Sequence, residues 1–231
     1  MQKIAIKELV DFRRKSNDNA KKRFAYKLKN RVAKEKAKND EDSKGGNYWV
    51  TSTSCIYNVF KHYKNDFYEI KIEELTNKRE STEDKKVRSM FQQNIDILNN
   101  FKDFNFDDIR PIKISKFVTV QKVHKVFAVD DFPLYLNPSL LFSHERNGKT
   151  EIGAIWLVPQ IRGFKKDELG MFCEILHDFL IKNYSNDYQV SDDLCVAIDT
   201  FNAQKVVYEE MLKGEIPFLV RKILEEIKNL N

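Results

Sequence analysis

The chain has few of the residues on which many kinds of functional site depend. Its 231 residues include 7 Gly, 3 Cys and 4 His, and the sequence has no P-loop, GxGxxG or HExxH motif. Few glycines leave little material for loops that cradle phosphate. The cysteines Cys55, Cys173 and Cys195 are far apart and lie in apolar contexts. That pattern argues against a disulfide framework and predicts reduced, buried thiols of a cytosolic protein.

Long hydrophobic runs are also missing. No apolar stretch reaches the roughly 18 residues that a membrane span requires. The first residues, MQKIAIKELVDF, place acids among the apolar positions and contain no small-residue cleavage site, so we expect no signal peptide. A content of 42% hydrophobic and 12% aromatic residues is that of a globular protein. We therefore predict a cytoplasmic protein without a membrane partner.

Positive charge is concentrated at one end of the chain. Residues 1–39 contain 14 Lys+Arg against 4 Asp+Glu, and the remainder contains 26 against 31. A basic segment attached to a mildly acidic body suggests a polyanionic partner. The candidate nucleic-acid-binding residues are Arg13, Arg14, Lys21, Lys22, Arg23, Lys27, Lys29 and Arg31. The alternative is a solvated helix that docks on the body through Phe24, Leu28 and Val32.

Composition and periodicity divide the chain into four parts. Residues 1–38 form a basic helical arm with helices at about 4–14 and 19–38, separated by the capping sequence SNDN. The polar, glycine-containing segment 39–47 is predicted as a linker. Residues 48–110 have helical periodicity and form a helical region. Residues 111–231 form a mixed-sheet domain.

The periodicity changes to two after Pro111. Strand-like runs are KISKFVTV, HKVFAV, FPLYL, SLLFSHE and TEIGAIWLV, and Asn147-Gly148 predicts a type I′ hairpin turn between the last two. A helix at about 165–184, a buried strand at 194–201 and a terminal helix at about 216–230 follow. This order predicts an α/β fold, or α+β as the alternative, in which helices cover a mixed sheet.

Over roughly residues 112–205 this order, with a proline entering one strand and GAI in the next, resembles the PD-(D/E)xK (restriction-endonuclease-like) nuclease fold. The resemblance implies an Asp after the proline, and an acid and a Lys two residues apart on the next strand. In that family the carboxylates hold Mg²⁺ and the Lys orients the attacking water.

The chain departs from the family at each of these positions. Pro138 is followed by Ser139, and the pair two residues apart is Ala154 and Trp156. Neither alanine nor indole binds Mg²⁺ or transfers a proton. We therefore expect relict positions without catalytic residues, metal or cofactor. The alternative is a displaced Mg²⁺ site built from Glu151, Glu168 and Lys165, and strand alternation places Glu151 on the face opposite Trp156.

Three functions follow from these patterns. The favoured one is a non-catalytic nucleic-acid-associated protein with a degenerate nuclease-like domain. The resemblance alone suggests a component of a bacterial defence or DNA-processing system. The alternatives are an active Mg²⁺-dependent nuclease with a displaced site, and a protein-interaction subunit of a larger complex. The sequence leaves DNA against RNA, the partner and the oligomeric state open.

Overall fold

The computed structural model describes residues 2–32 and 48–230. The helices are α1 Ile6–Arg13, α2 Asp18–Lys29, α3 Val50–His62, α4 Asp66–Glu80, α5 Lys85–Phe101, α6 Lys166–Tyr184, α7 Tyr208–Leu212 and α8 Val220–Asn229. The strands are β1 Ile4–Ala5, β2 Lys116–Phe117, β3 Val126–Val129, β4 Phe132–Tyr135, β5 Leu140–Arg146, β6 Lys149–Val158, β7 Gln189–Asp199 and β8 Gln204–Val207. The α/β class predicted from the sequence is confirmed.

Five strands form the larger sheet, in the order β2-β5-β6-β7-β8. Strands β6 and β7 are parallel because α6 crosses between them, and the other neighbours are antiparallel. A smaller sheet has the order β1-β4-β3, with β1 parallel to β4. Both sheets are therefore mixed.

Two tight turns connect consecutive strands. The predicted turn at Asn147-Gly148 joins β5 to β6, and both residues have positive φ, 53° and 74°, as a type I′ turn requires. Asp130 and Asp131 join β3 to β4 in the same way, with φ of 46° and 68°. Aspartate tolerates this left-handed region better than most residues, which explains a turn without glycine.

The five-stranded sheet lies between two layers of helices. One face packs against α1, α2, α6 and α8 and contributes Leu141, Ile152, Ala154, Cys195 and Ala197 to their core. The opposite face packs against α3, α4 and α5 and contributes Leu140, Phe142, Ile155, Val196 and Ile198. All three cysteines are free and buried, as predicted.

The N-terminal helices take part in the first of these two cores. Ile6, Leu9, Val10 and Phe12 of α1 are essentially inaccessible to solvent, and Ala25 and Leu28 of α2 join them. Strand β1 also pairs with Leu134 and Tyr135 of β4. The helices that the sequence assigned to an arm are thus packed against the C-terminal sheet and its helices.

The end of α2 corrects one expectation. The helix predicted over 19–38 ends at Lys29, where Asn30 leaves helical geometry and donates its side-chain amide to the carbonyl of Tyr26. Val32 is 82% exposed, so it does not belong to the docking stripe with Phe24 and Leu28. Residues 33–38 and the predicted linker 39–47 lie outside the described residues. None of the described helices is long and apolar enough to cross a membrane.

Candidate functional site

The two faces of β6 separate the residues that the sequence singled out. Ala154 is fully buried in the core beneath α6, and Trp156 packs against the same core. Ile155 belongs to the core on the other face, beneath α3 and α5. Glu151 pairs with His144 in the same unbroken register that pairs Ile155 with Leu140, and Leu140 and Ile155 belong to this second core, so Glu151 lies on that face. The predicted placement of Glu151 opposite Trp156 is confirmed.

The three relict positions have structural partners. The Trp156 ring meets Phe172 of α6 edge-on, with ring centroids 5.3 Å apart, a favourable aromatic geometry. The Ser139 N–H donates to the carbonyl of Ile155 at 3.0 Å, and its Oγ accepts from the Leu157 N–H at 3.0 Å. Ser139 therefore fastens the start of β5 to β6. Apolar packing and backbone hydrogen bonds supply no group for metal binding or proton transfer here.

Glu151 lies in a buried polar cluster formed with His144 and Ser191. The Ser191 hydroxyl donates to Glu151 Oε2, and His144 Nε2 lies 3.2 Å from Ser191 Oγ and 3.5 Å from Glu151 Oε2. Arg146 Nε approaches Glu151 at 3.3 Å, and its other nitrogens bind Asp193 at 2.8 and 3.1 Å. The cluster resembles a Ser-His-acid set in composition. However, one imidazole nitrogen contacts both partners, so the histidine does not relay between serine and carboxylate.

Glu168 and Lys165 lie elsewhere, beyond the end of β6. Glu168 accepts from the Lys165 backbone N–H at 2.9 Å and from Arg14 Nε at 2.7 Å. Burial opposes ionisation of Glu168, but the Arg14 guanidinium and the Lys165 N–H outweigh it and lower the pKa of the carboxyl. The carboxylate caps α6 and holds α1.

The structure does not bring Glu151 and Glu168 together. Glu151 lies near the start of β6, whereas Glu168 follows its end. The eight residues from Glu151 to Val158 span about 23 Å of strand. The structure therefore does not assemble the displaced site that the alternative would build from Glu151, Glu168 and Lys165, although Lys165 and Glu168 are neighbours. Over residues 2–32 and 48–230, no group of three or more His, Cys, Asp or Glu side chains is arranged to hold a metal ion.

The buried polar cluster should make stability depend on pH. Burial, followed by repulsion from Arg146, lowers the pKa of His144, and the attraction of Glu151 and Asp193 offsets this only in part. In the unfolded chain the pKa is about 6.5. Between the lower pKa of His144 in the folded protein and its pKa in the unfolded chain, the unfolded chain binds more protons. The contribution of His144 to the free energy of unfolding is therefore complete above about pH 6.5 and is lost as the pH falls below that value.

We expect His144→Gln to weaken this dependence. Urea denaturation at pH 7, 6 and 5 should show the wild-type protein losing more free energy of unfolding over that interval than the variant. His177, whose pKa burial also lowers, is present in both proteins and cancels in the comparison. Parallel profiles for the two proteins would contradict the assignment.

Most of the basic residues proposed for nucleic-acid binding are engaged with the body of the protein. Their partners are Asp167 for Arg13, Glu168 for Arg14, Glu226 for Lys21, the Leu230 carbonyl for Lys29 and Glu8 for Arg31. Three of these acids follow their partners by more than 150 residues, so the local charge count could not reveal them. These contacts hold α1 and α2 in place.

The outward face of α2 carries the remaining members. Lys22, Arg23 and Lys27 are exposed, and none of them forms an ion pair with any residue that the structure describes. Tyr26 lies on the same face and is 67% exposed. The buried positions Ala25 and Leu28 fix this orientation because they point into the core. We call Lys22, Arg23, Tyr26 and Lys27 the α2 basic face.

Sequence reasoning missed Tyr26 as a member of this face. The four-residue spacing from Lys22 to Tyr26 places the two side chains one helical turn apart, and this was the available signal. Exposed cations suit contact with phosphate, and an aromatic ring among them suits stacking on a base. No protein-family model, curated protein or solved structure matches this chain.

Proposed function

We propose that the protein is a non-catalytic nucleic-acid-associated protein whose α2 basic face contacts the phosphate backbone. The observation that carries the proposal is the orientation of α2. Its apolar side and Lys21 are used for docking, while Lys22, Arg23 and Lys27 point away from the body. Three cations on one exposed helical face, with an aromatic ring between them, suit the chemistry of a negatively charged polymer.

The relict positions support the non-catalytic part of the proposal. Ala154 and Trp156 occupy the strand positions where the nuclease-like resemblance implies an acid and a lysine, and both pack in a core beneath α6. A degenerate nuclease-like domain is thus part of the proposal. The three buried, unpaired cysteines favour a reducing compartment such as the cytoplasm.

A charge-removal experiment tests the α2 basic face. We expect the wild-type protein to bind labelled single- or double-stranded oligonucleotides, measured by fluorescence anisotropy, with an affinity that falls steeply as salt is added. The triple variant Lys22→Ala, Arg23→Ala, Lys27→Ala should lose at least about 10-fold in affinity near 100 mM salt. Its log–log salt slope should be smaller by up to about 3, because each cation that neutralises a phosphate releases a counterion.

A matched control distinguishes the effect of the α2 basic face on affinity from the effect of total charge. Lys85, Lys86 and Arg88 are exposed in the first turns of α5, again two lysines and one arginine. Alanine at these three positions removes the same charge and should leave the affinity close to wild type. Equal losses of affinity in the two triple variants would contradict the assignment to α2. A wild-type protein that binds neither DNA nor RNA at low salt would contradict the proposed function.

A further inference from the structure

A cavity lies between α1 and the loop that follows β6. Its volume is about 370 Å³ and its lining includes Lys7, Asp11, Arg14, Trp49, Gln160 and Ile161. Cavities that bind small ligands generally begin at about 300 Å³ and combine apolar walls with a few polar groups. Here an indole, an aliphatic side chain, an amide and three charged groups face one space.

The carbonyl of Gly163 fixes two of the polar side chains. Arg14 Nη2 donates to it at 3.5 Å, and Gln160 Nε2 donates to it at 3.1 Å. The salt bridge with Glu168 uses Nε and Nη2 of Arg14. Nη1 has no hydrogen-bond partner among the described residues, so the guanidinium is held rigidly while keeping donors for a ligand.

Two further groups in the lining have unused hydrogen-bonding capacity. Within the described parts of the chain, Lys7 is exposed and forms neither an ion pair nor a side-chain hydrogen bond. Gln160 Oε1 is inaccessible to solvent and has no hydrogen-bond partner within the described parts of the chain, so it is not open to a ligand in the cavity. Lys7 and Arg14 therefore offer positive charge and free N–H donors to a ligand.

We propose that this cavity binds a single nucleotide unit. The base stacks on Trp49, and the phosphate lies at Lys7 and Arg14. Asp11 repels phosphate but accepts from a sugar hydroxyl, so it orients the sugar between the two ends. Aromatic stacking combined with cations at phosphate distance is the usual way in which proteins hold unpaired nucleotides.

The cavity is distinct from the α2 basic face and does not require it. It uses α1, Trp49 and the loop after β6, and it shares no residue with Lys22, Arg23, Tyr26 and Lys27. Beyond the proposed function, the protein thus has a second binding element, whose ligand is either a free nucleoside monophosphate or the phosphorylated end of a strand.

Tryptophan fluorescence provides a direct readout. The chain has two tryptophans, so Trp156→Phe leaves Trp49 as the single emitter. We expect AMP to quench this emission saturably at constant ionic strength, and a 5′-phosphorylated trinucleotide to do the same. Quenching by both ligands identifies a free nucleotide as sufficient, whereas quenching by the trinucleotide alone identifies a strand end. If Trp156→Phe fails to fold, the difference between wild type and Trp49→Phe gives the same signal.

Matched lysine variants locate the phosphate. Lys7→Gln should lower the affinity for AMP, measured from the quenching curve, by about 10-fold, because a hydrogen bond to a charged group is lost. Lys22→Gln on α2 removes the same charge and should leave it unchanged. The α2 triple variant should likewise keep quenching by AMP even where it loses oligonucleotide binding, which separates this inference from the proposed function. Absence of quenching at a ligand concentration of about 10 mM would overturn the inference, and so would equal effects of Lys7→Gln and Lys22→Gln.

Discussion

Gly163→Ala is expected to lower the free energy of unfolding by about 3 kcal/mol or more. The φ of Gly163 is 65°, a region that L-residues enter at a cost. A Cβ atom at this position would lie 1.9 Å from Asn202 Nδ2 and 2.1 Å from Asp199 Oδ2. Both distances are far inside van der Waals contact, so the polar side chains would have to move.

Movement of Asp199 would have consequences beyond the steric clash. Its buried carboxylate accepts from the N–H groups of Phe164 and Phe201 at 2.9 and 3.0 Å and from Asn202 Nδ2 at 2.9 Å. A displaced carboxylate would leave buried donors unpaired, and each such donor costs about 1–3 kcal/mol. The loop between β6 and α6 would then lose its attachment to the end of β7.

Gly148 provides the control. Its φ of 74° is close to that of Gly163, yet a Cβ atom there would meet nothing within 4 Å. Gly148→Ala should therefore cost only the backbone term of about 1–2 kcal/mol. Urea denaturation of both variants separates strain from crowding, and equal losses would show that the surroundings of Gly163 accommodate the methyl group.

Phe12→Ala is expected to lower the free energy of unfolding by about 3–5 kcal/mol. Phe12 is completely inaccessible to solvent, and its ring lies 6.4 Å from that of Phe24, between α1 and α2. Truncation removes apolar contacts and leaves a cavity in the core shared with α6 and α8. A core position in the first helix should therefore affect the whole molecule.

Tyr26→Ala is the matched control, because it removes an aromatic ring from the neighbouring helix at a position that is 67% exposed. Its effect on stability should stay within about 0.5 kcal/mol. Denaturant titration followed by far-UV circular dichroism measures both variants. A small effect of Phe12→Ala would mean that α1 and α2 are a detachable arm and not part of the core.

The elements that could be predicted from the sequence have local signals. The Asn147-Gly148 turn, the alternation along β6 and the apolar face of α6 depend on neighbouring residues, and each agrees with the structure. The opening of β7, QVSDD, has no such signal. Ser191, Asp192 and Asp193 are buried or half-buried beside distant partners, such as His177 for Asp192 and Arg146 for Asp193. The four-residue β8 is too short to show a period.

For the candidate site, too, local features could be predicted from the sequence, whereas contacts between distant segments could not. Strand alternation assigned Glu151 and Trp156 to opposite faces of the sheet. Counting charges found the basic segment but could not show that Asp167, Glu168 and Glu226 would pair with it, because ion pairs between distant parts of a chain leave no mark on local composition. The cavity beside Trp49 combines three separate segments and has no motif.

The pairing of the first helices with the last one also bears on biosynthesis. Lys21 and Glu226 are 205 residues apart, so at about 5–20 residues per second a ribosome needs about 10–40 s to deliver the second after the first. Until α8 has been made, the core that the apolar side of α1 shares with α6 and α8 is incomplete. The nascent chain must therefore keep the apolar side of α1 out of wrong associations until α8 has been made.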